Sequence, residues 1–594
     1  MASILKSIAD KTAGLSFGDG LNTNEPEEEF PSGPPKLQHT ANGDLPAPLS
    51  IKPRPDNVEV HSSKLADFYM EGRSPRSANG SSPLLTPTSA SRRRVAFAEP
   101  PSPVPIATVE KADGNPDRNF WRKKSLRRLF SESKNVQLHP SSDDVRIQIV
   151  EESMTVLRHN DLGGYTVPAH GLYPFQWNWD SAIVASGWAV FDEARAWQEI
   201  ESLFSGQWED GMVPSIVFHK PSTTYFPGPE IWGTKEKPSK STGITQPPVA
   251  AMSVRFLYEH ADDPLLAMSE AGKLFPKLLA WHRWFYKARD PFNTGVVAIL
   301  HPWESGMDNS PAWDEPMRFP VDNLQPYVRC DLNHVHPEMR PTKETYDHYL
   351  TLLYRFKNAN FYDPDKLYHI SPFRVTDLCV NCILFRANRD LRWLAIKLGR
   401  QEVVAEIDAW LDKGFQGFES LWDEEAGIYK CRDQITGKLC PAAISAGFLP
   451  LFAGVVSEKR AARLVRTLEQ WLEQVKYGVP SMDPADPRFE PLRYWRGPVW
   501  IIINWMISNG LKHYGYDALA NRIKDHSIAL TSESGLFEYF NPVTGEGEGG
   551  HDFSWTAAMS LAWMDRPAAI AVGSKMHGPK KELGASWTAT PVKK

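Results

Sequence analysis

FRVTDLCVNCILFRANRDLRWLAIKL, residues 373–398, is an amphipathic stretch of helix length, and its kind recurs along the chain. Comparable stretches fall near 143–158, 180–204, 247–260, 266–288, 342–358, 401–421, 441–453, 457–474, 498–514, 516–530 and 553–564. Convincing alternating strand patterns are few. About twelve helices in a body of roughly 425 residues fit an all-α fold, six helical hairpins closed into an (α/α)6 toroid. An open bundle or solenoid is the alternative, but the chain has no short repeat period of the solenoid kind. In a toroid the loops at one end converge on a central pocket, so the chemistry is expected in those loops. The Cys379–Cys382 pair inside the opening stretch stands without a second CxxC or His pair at ligand spacing. Spaced i, i+3, it is expected to be two buried thiols on one helix face.

The loops between the helices are rich in Trp, Gly, Pro and acids. HPWESGMDNSP (301–311) sets Glu304 and Asp308 beside Trp303 and before an Asn-Ser-Pro turn, a poor helix and a poor core strand. It reads as a loop over a pocket, where Trp stacks on a sugar ring and a carboxylic acid protonates a leaving oxygen. YPFQWNWDS (173–181) holds Trp177, Trp179 and Asp180 before a helix, where Asp180 is either a pocket residue or an N-cap. In FSGQWEDGMVPSIVF (204–218), Glu209 and Asp210 are either sugar contacts or a turn. LRYWRGPVW (492–500) packs Arg493, Tyr494, Trp495, Arg496 and Trp500 around Gly-Pro. GLFEYFNPVTGEGEGGHDFSWTAA (535–558) places Glu538 between aromatics and ahead of a glycine-rich turn.

Other chemistries fit poorly. The glycines at 545, 547, 549 and 550 are followed by no Lys-Ser/Thr, and Glu546 and Glu548 would repel a phosphate. Asp331, His334, His336 and Glu338 cluster, yet no HExxH follows, so neither a catalytic metal nor another cofactor is expected. No G-x-S-x-G elbow opens a helix. Two-carboxylate glycoside hydrolysis remains, one acid protonating the leaving oxygen and a second carboxylate working on the opposite face. The 21 tryptophans supply the stacking surfaces that a pyranose needs.

The 594 residues carry a net charge of -6 and no long basic stripe in the body, so a nucleic-acid partner is not expected. Five cysteines argue against a disulfide scaffold. MASILKSIADKTAG lacks the uninterrupted apolar run of a secretory signal, and no window approaches a membrane span. A cytoplasmic protein without stable membrane insertion is the expectation. Residues 1–118, with neither Trp nor Cys and rich in Pro, Ser and Arg, are expected to be disordered. Their Ser-Pro and Thr-Pro pairs (Ser74, Ser82, Thr86, Ser102) suit a phosphorylated tail that engages a kinase or regulatory partner through residues 70–130. An unselected linker is the other reading. A basic amphipathic lead-in (119–142), a catalytic domain (143–566) and a flexible basic tail (567–594) complete the expected organisation.

Taken together, FQWNWDS, WEDGMVP, HPWESGMDNSP, RPTKETY, YWRGPVW and FEYFNPVTGEG…FSWTAA resemble glycoside hydrolase family 63, and within it the mannosylglycerate and glucosylglycerate hydrolases. The likeness spans about residues 145–565. It implies an (α/α)6 barrel and an inverting α-glycosidase acting on a small-molecule glycoside. It selects Asp308 over Glu304 as general acid, which spacing alone could not do, and Glu538 as general base. It carries sugar contacts over to Trp177, Asp180, Gln246 and Trp500, with Trp303 and Trp495 as aromatic walls. Arg340 and Tyr346, six residues apart, with Tyr494, would grip a glycerate carboxylate. A neutral di- or oligosaccharide α-glucosidase and a non-catalytic carbohydrate sensor are the alternatives. The long polar loop 223–245 departs from the family's pattern, as a lid or a reshaped aglycone site.

Overall fold

The computed structural model describes residues 143–577, apart from 223, 224, 238, 334, 360 and 362. The expectations for the N-terminal tail, the basic lead-in and residues 70–130 lie outside the described residues. The described chain is mostly helical: α1 (Asp143–Asn160), α2 (Asn178–Trp188), α3 (Glu193–Phe204), α4 (Ala250–Glu259), α5 (Pro264–Arg289), α6 (Lys343–Asn358), α7 (Pro364–Ile370), α8 (Leu378–Lys397), α9 (Val404–Glu419), α10 (Leu449–Ala453), α11 (Glu458–Leu472), α12 (Ile501–His513), α13 (Asp517–Ser534), α14 (Ser554–Met559) and α15 (Arg566–His577).

The caps explain where several of these helices begin. Asp263 accepts from the backbone N–H groups of Leu265 and Leu266 while Pro264 opens α5. Thr342 caps α6, and Ser457 caps α11. Asp377 caps α8, so the opening stretch starts as a loop and turns helical only at Leu378. Residues 180–204 are two helices rather than one, because the chain breaks after Trp188 and Asp192 caps a second start at Arg195 N. The stretch near 441–453 is a 3-10 turn, Ser445–Phe448, followed by the short α10 with Pro450 in its first turn. Two helices went unanticipated, α7 and α15. The second corrects the boundary of the flexible tail: Asp565 takes a two-pronged bond from Arg146 (2.6 and 2.9 Å), and fully buried Ala569 anchors α15, which packs on α1.

Neighbour order runs in a cycle. α2 packs on α4, α4 on α8, α8 on α10, α10 on α12, α12 on α14, and α14 back on α2. α3 lies against α2, α5 against α4, α9 against α8, α13 against α12 and α1 against α14. The core between them is apolar, and Cys379 and Cys382 are buried free thiols in α8.

Among the described residues, nine two-residue strands sit in the loops. β1 (Gln176–Trp177) pairs antiparallel with β2 (Ile216–Val217), directly before α2. β3 (Ala298–Ile299), β4 (Val375–Thr376) and β7 (Arg432–Asp433) form a three-stranded patch leading into residues 301–311. β5 (Trp422–Asp423) pairs with β6 (Ile428–Tyr429). β8 (Tyr539–Phe540) pairs with β9 (Gly547–Glu548), with Glu538 one residue ahead.

Candidate active site

Residues 301–311 form a braced loop. Pro302–Ser305 is a 3-10 turn whose N-terminus is capped by His301: Nδ1 accepts from Trp303 N (3.1 Å), and Nε2 donates to the Tyr349 carbonyl (3.0 Å). That assignment needs the neutral imidazole, and burial pushes His301 down to about 3. Gly306 ends the turn at φ +71, where a Cβ would lie 2.7 Å from the Trp179 ring. Only glycine lets this loop lie flat on the tryptophan.

The two carboxylates of this loop part company. Glu304 is buried in an ion pair with Arg289 (2.6 Å), and its other oxygen accepts from Leu300 N (2.7 Å). Both oxygens are satisfied inside the protein. Asp308 is half-buried and faces a cleft of about 1050 Å³. Burial raises it to about 7, Arg340 pulls against the rise, and Glu538 adds to it. An aspartic acid that keeps its proton near neutrality can act as a general acid. Its backbone is fixed by the Tyr349 hydroxyl, which donates to the Asp308 carbonyl (2.5 Å). Farther along, Asn309 accepts from Trp495 N (2.9 Å), and Asp314 takes bonds from Arg496 (2.7 and 3.0 Å) and Arg488 (3.1 Å). The Asp308 loop is thereby tied to residues 488–496.

Glu538 is almost fully buried and lines the same cleft. The β8–β9 register brings Gly550 beside it, so that Gly550 N donates to Oε2 (3.0 Å) and Glu538 N donates to the Gly550 carbonyl (2.8 Å). Tyr173 donates to Oε1 (2.7 Å). A Cβ on Gly549 would sit 2.5 Å from Oε2, so glycine is required there by contact as well as by φ +72.

Asp180 is the third carboxylate of the cleft. It does not cap α2, since Trp177 holds the cap position and Asp180 lies in the first turn. Burial, then the nearby Glu538 and Asp308, raise it well above its ordinary value. Gln246 accepts from Trp179 N (3.4 Å), and Trp303 packs on Tyr349 at 5.4 Å. Tyr346 donates to the Phe226 carbonyl (3.4 Å) and lies under Arg329.

Arg340 is 3% exposed, yet its Nε and Nη2 find no hydrogen-bond partner among the described residues. Nη2 stands 3.6 Å from Glu538 Oε2, and the guanidinium lies over the Tyr494 and Tyr173 rings at 4.7 and 5.4 Å. Its backbone is held by Arg493, which donates to the Arg340 carbonyl (3.1 Å). Tyr494 adopts φ +45, a costly conformation for a tyrosine, with its hydroxyl 3.3 Å from that of Tyr173.

Of the residues singled out from sequence, Trp177, Asp180, Gln246, Trp303, Asp308, Arg340, Tyr346, Tyr494 and Glu538 line one cleft. Trp495 and Trp500 do not line it. They stack face to face at 3.8 Å, each 1% exposed, behind Trp179 and Tyr494, so they support the wall rather than form it. The Glu209–Asp210 segment is a turn: Asp210 accepts from Met212 N and from the Trp284 indole. Asp331 lines the cleft but is held by Arg329 (2.6 and 3.1 Å). Among the described residues no group of three or more His, Cys, Asp or Glu is arranged to hold a metal ion. Sequence reasoning passed over Tyr173, although it opens the quoted YPFQWNWDS. It also left open what residues 223–245 contribute, and Tyr225, Phe226 and Trp232 of that loop line the cleft.

The model of the family described as the mannosylglycerate hydrolase MGH1-like glycoside hydrolase domain matches residues 173–556, which run from Tyr173 through both Asp308 and Glu538. The chain belongs to this family. It is 61% identical to mannosylglycerate hydrolase MGH1 of Selaginella moellendorffii over 426 residues, 72% of this chain and 87% of that one. It is 34% identical to a glucosylglycerate hydrolase of Mycolicibacterium hassiacum, over 70% of this chain and 98% of that one. A crystal structure of the family 63 mannosylglycerate hydrolase of Thermus thermophilus with Tris and D-glycerate matches with a TM-score of 0.68 at 54% identity, covering 70% and 99% of the two chains.

Proposed function

We propose that the protein hydrolyses α-mannosylglycerate or α-glucosylglycerate to free hexose and glycerate with inversion at the anomeric carbon. Asp308 gives its proton to the glycosidic oxygen as the C–O bond breaks. Glu538 takes a proton from the water that forms the new bond on the opposite face. The observation that carries the substrate class is Arg340, a buried guanidinium at the cleft whose Nε and Nη2 are unpartnered among the described residues. Burying unpaired donors of a charged group is costly, and a small carboxylate satisfies them two at a time. The substrates named for the relatives have that carboxylate.

We also read the six helices packed in a cycle as the inner ring of six hairpins, an (α/α)6 barrel within a domain that starts at residue 143 and includes α15. The cyclic neighbour order and the outer partners of five of the six support this. The buried free thiols support a reducing, cytoplasmic setting, and among the described residues no helix is long and apolar enough to cross a membrane. A kinase or regulatory partner through residues 70–130 rests on sequence alone.

The test incubates the protein with mannosylglycerate, glucosylglycerate, trehalose and a glucose oligomer and follows free sugar. Release from a glycerate glycoside, lost in Asp308→Asn and in Glu538→Gln with the fold retained, is expected. Release only from the neutral saccharides would replace this reading by a neutral α-glucosidase. Binding without release from any of them would make the protein a sensor.

A further inference from the structure

The guanidinium open to the aglycone is also the positive charge nearest the base. Arg340 Nη2 lies 3.6 Å from Glu538 Oε2, too far for a good hydrogen bond yet close for two charges away from bulk water. Glu538 keeps its bonds from Tyr173 and Gly550 in any event. Arg340 has no such commitment, because Nε and Nη2 are both unpartnered among the described residues. Three other carboxylates line the same space: Asp180 from α2, Asp308 from the 301–311 loop, and Asp331, which is paired with Arg329. The phenols of Tyr173, Tyr494 and Tyr539 complete the surroundings, with Glu548 of β9 behind Tyr539.

We infer that Arg340 serves two carboxylates in turn: its charge leans on Glu538 in the free enzyme, and an acidic aglycone draws it away, so that the base accepts the water proton readily only when that aglycone is bound. The inference rests on the glycosidase reading above and adds to it. Selection for an acidic aglycone would then act on the chemical step and not only on binding. Arg340 also pulls against the raised proton affinity of Asp308. Neutralising the guanidinium therefore lets the acid hold its proton to higher pH at the same time. Acid and base move together, which gives the mechanism a signature.

The experiment compares an α-mannosylglycerate with the neutral mannosylglycerol, in which the carboxylate is replaced by a hydroxymethyl group, over the full pH range with the wild-type enzyme. With the acidic substrate, both limbs of the kcat profile are expected at higher pH than those of kcat/KM, since the first reports the complex and the second the free enzyme. With the neutral substrate the two profiles should coincide, and kcat should be about 3–10-fold lower, as a weaker base gives a slower proton transfer. In Arg340→Gln, the neutral substrate's acid-side limb should move to higher pH, whatever the change in its kcat. Coincident profiles for both substrates, or equal kcat with only KM different, would overturn the inference and leave Arg340 a binding group. Turnover of neither substrate would instead overturn the glycosidase reading, and this inference with it.

Discussion

Tyr173 donates a 2.7 Å hydrogen bond to Glu538 from 365 residues away, and its hydroxyl also meets that of Tyr494. The proposed base is thus held by a phenol on one oxygen and a backbone N–H on the other. In Tyr173→Phe a single donor is lost with little change of volume. A hydrogen bond to a charged group contributes about 1.5–3 kcal/mol, so kcat is expected to fall roughly 10–100-fold. The melting temperature should move only slightly. A variant with normal kcat would show that the phenol does not orient the base.

Asp308 leads to a pH prediction with two readouts. Its carboxyl titrates near 3.8 when unperturbed and is raised to about 7 in the fold. Activity that needs the protonated acid should decline as pH rises through about 7. Between those two values the folded state holds a proton that the unfolded state has released. The contribution of Asp308 to stability therefore falls across that window and stays low above it. Asp308→Asn should accordingly melt higher than wild type at pH 8 and about the same at pH 4. A lower melting temperature at pH 8 would contradict the raised titration.

The buried Arg289–Glu304 pair predicts a different phenotype for the neighbouring acid. Glu304→Ala leaves a buried guanidinium unpaired, which costs about 3–5 kcal/mol. Thermal unfolding should show that loss directly. Protein that remains folded at low temperature should keep most of its kcat. Loss of kcat as deep as that of Asp308→Asn, with stability unchanged, would return Glu304 to the list of catalytic candidates.

Gly549→Ala probes the wall behind the base. The added methyl would sit 2.5 Å from Glu538 Oε2 and the residue would be held at φ +72. The backbone just after β9 must shift or the carboxylate must swing away. The expectation is a large fall in kcat, beyond tenfold, accompanied by a modest loss of stability. An alanine variant with full activity would show that this backbone can yield without moving the base.

Periodicity found most of the helices because their burial is local, a stripe on each helix facing the same core. It joined α2 to α3 because Ala189–Asp192 interrupts the pattern for only about one turn, although Asp192 carries a legible cap. The carboxylate pair and Arg340 were legible through ordered motifs. What stayed out of reach was depth. Trp495 and Trp303 look alike in sequence, each an aromatic in a polar loop, but only the packing of Trp500 and Trp179 decides that Trp495 lies behind the wall. Tyr173 was passed over for a related reason: it has no charge, and its role exists only once a residue far along the chain arrives beside it. Glu304 and Asp308 differ by four positions, and Arg289, on the preceding helix, is what separates their fates.

The two edges of the cleft come from opposite ends of the matched sequence. Ser554 N donates to the Pro168 carbonyl, and its Oγ donates to that of Val167; the Asn160 amide reaches back to Asp552 and Ser554. A chain ending before Asp552 would hold Asp180, Asp308, Arg340 and Glu538, yet α2 and α12 would have no α14 between them and residues 160–168 would lose these partners. The first wall of the cleft is therefore set in place by a segment that follows every carboxylate lining it.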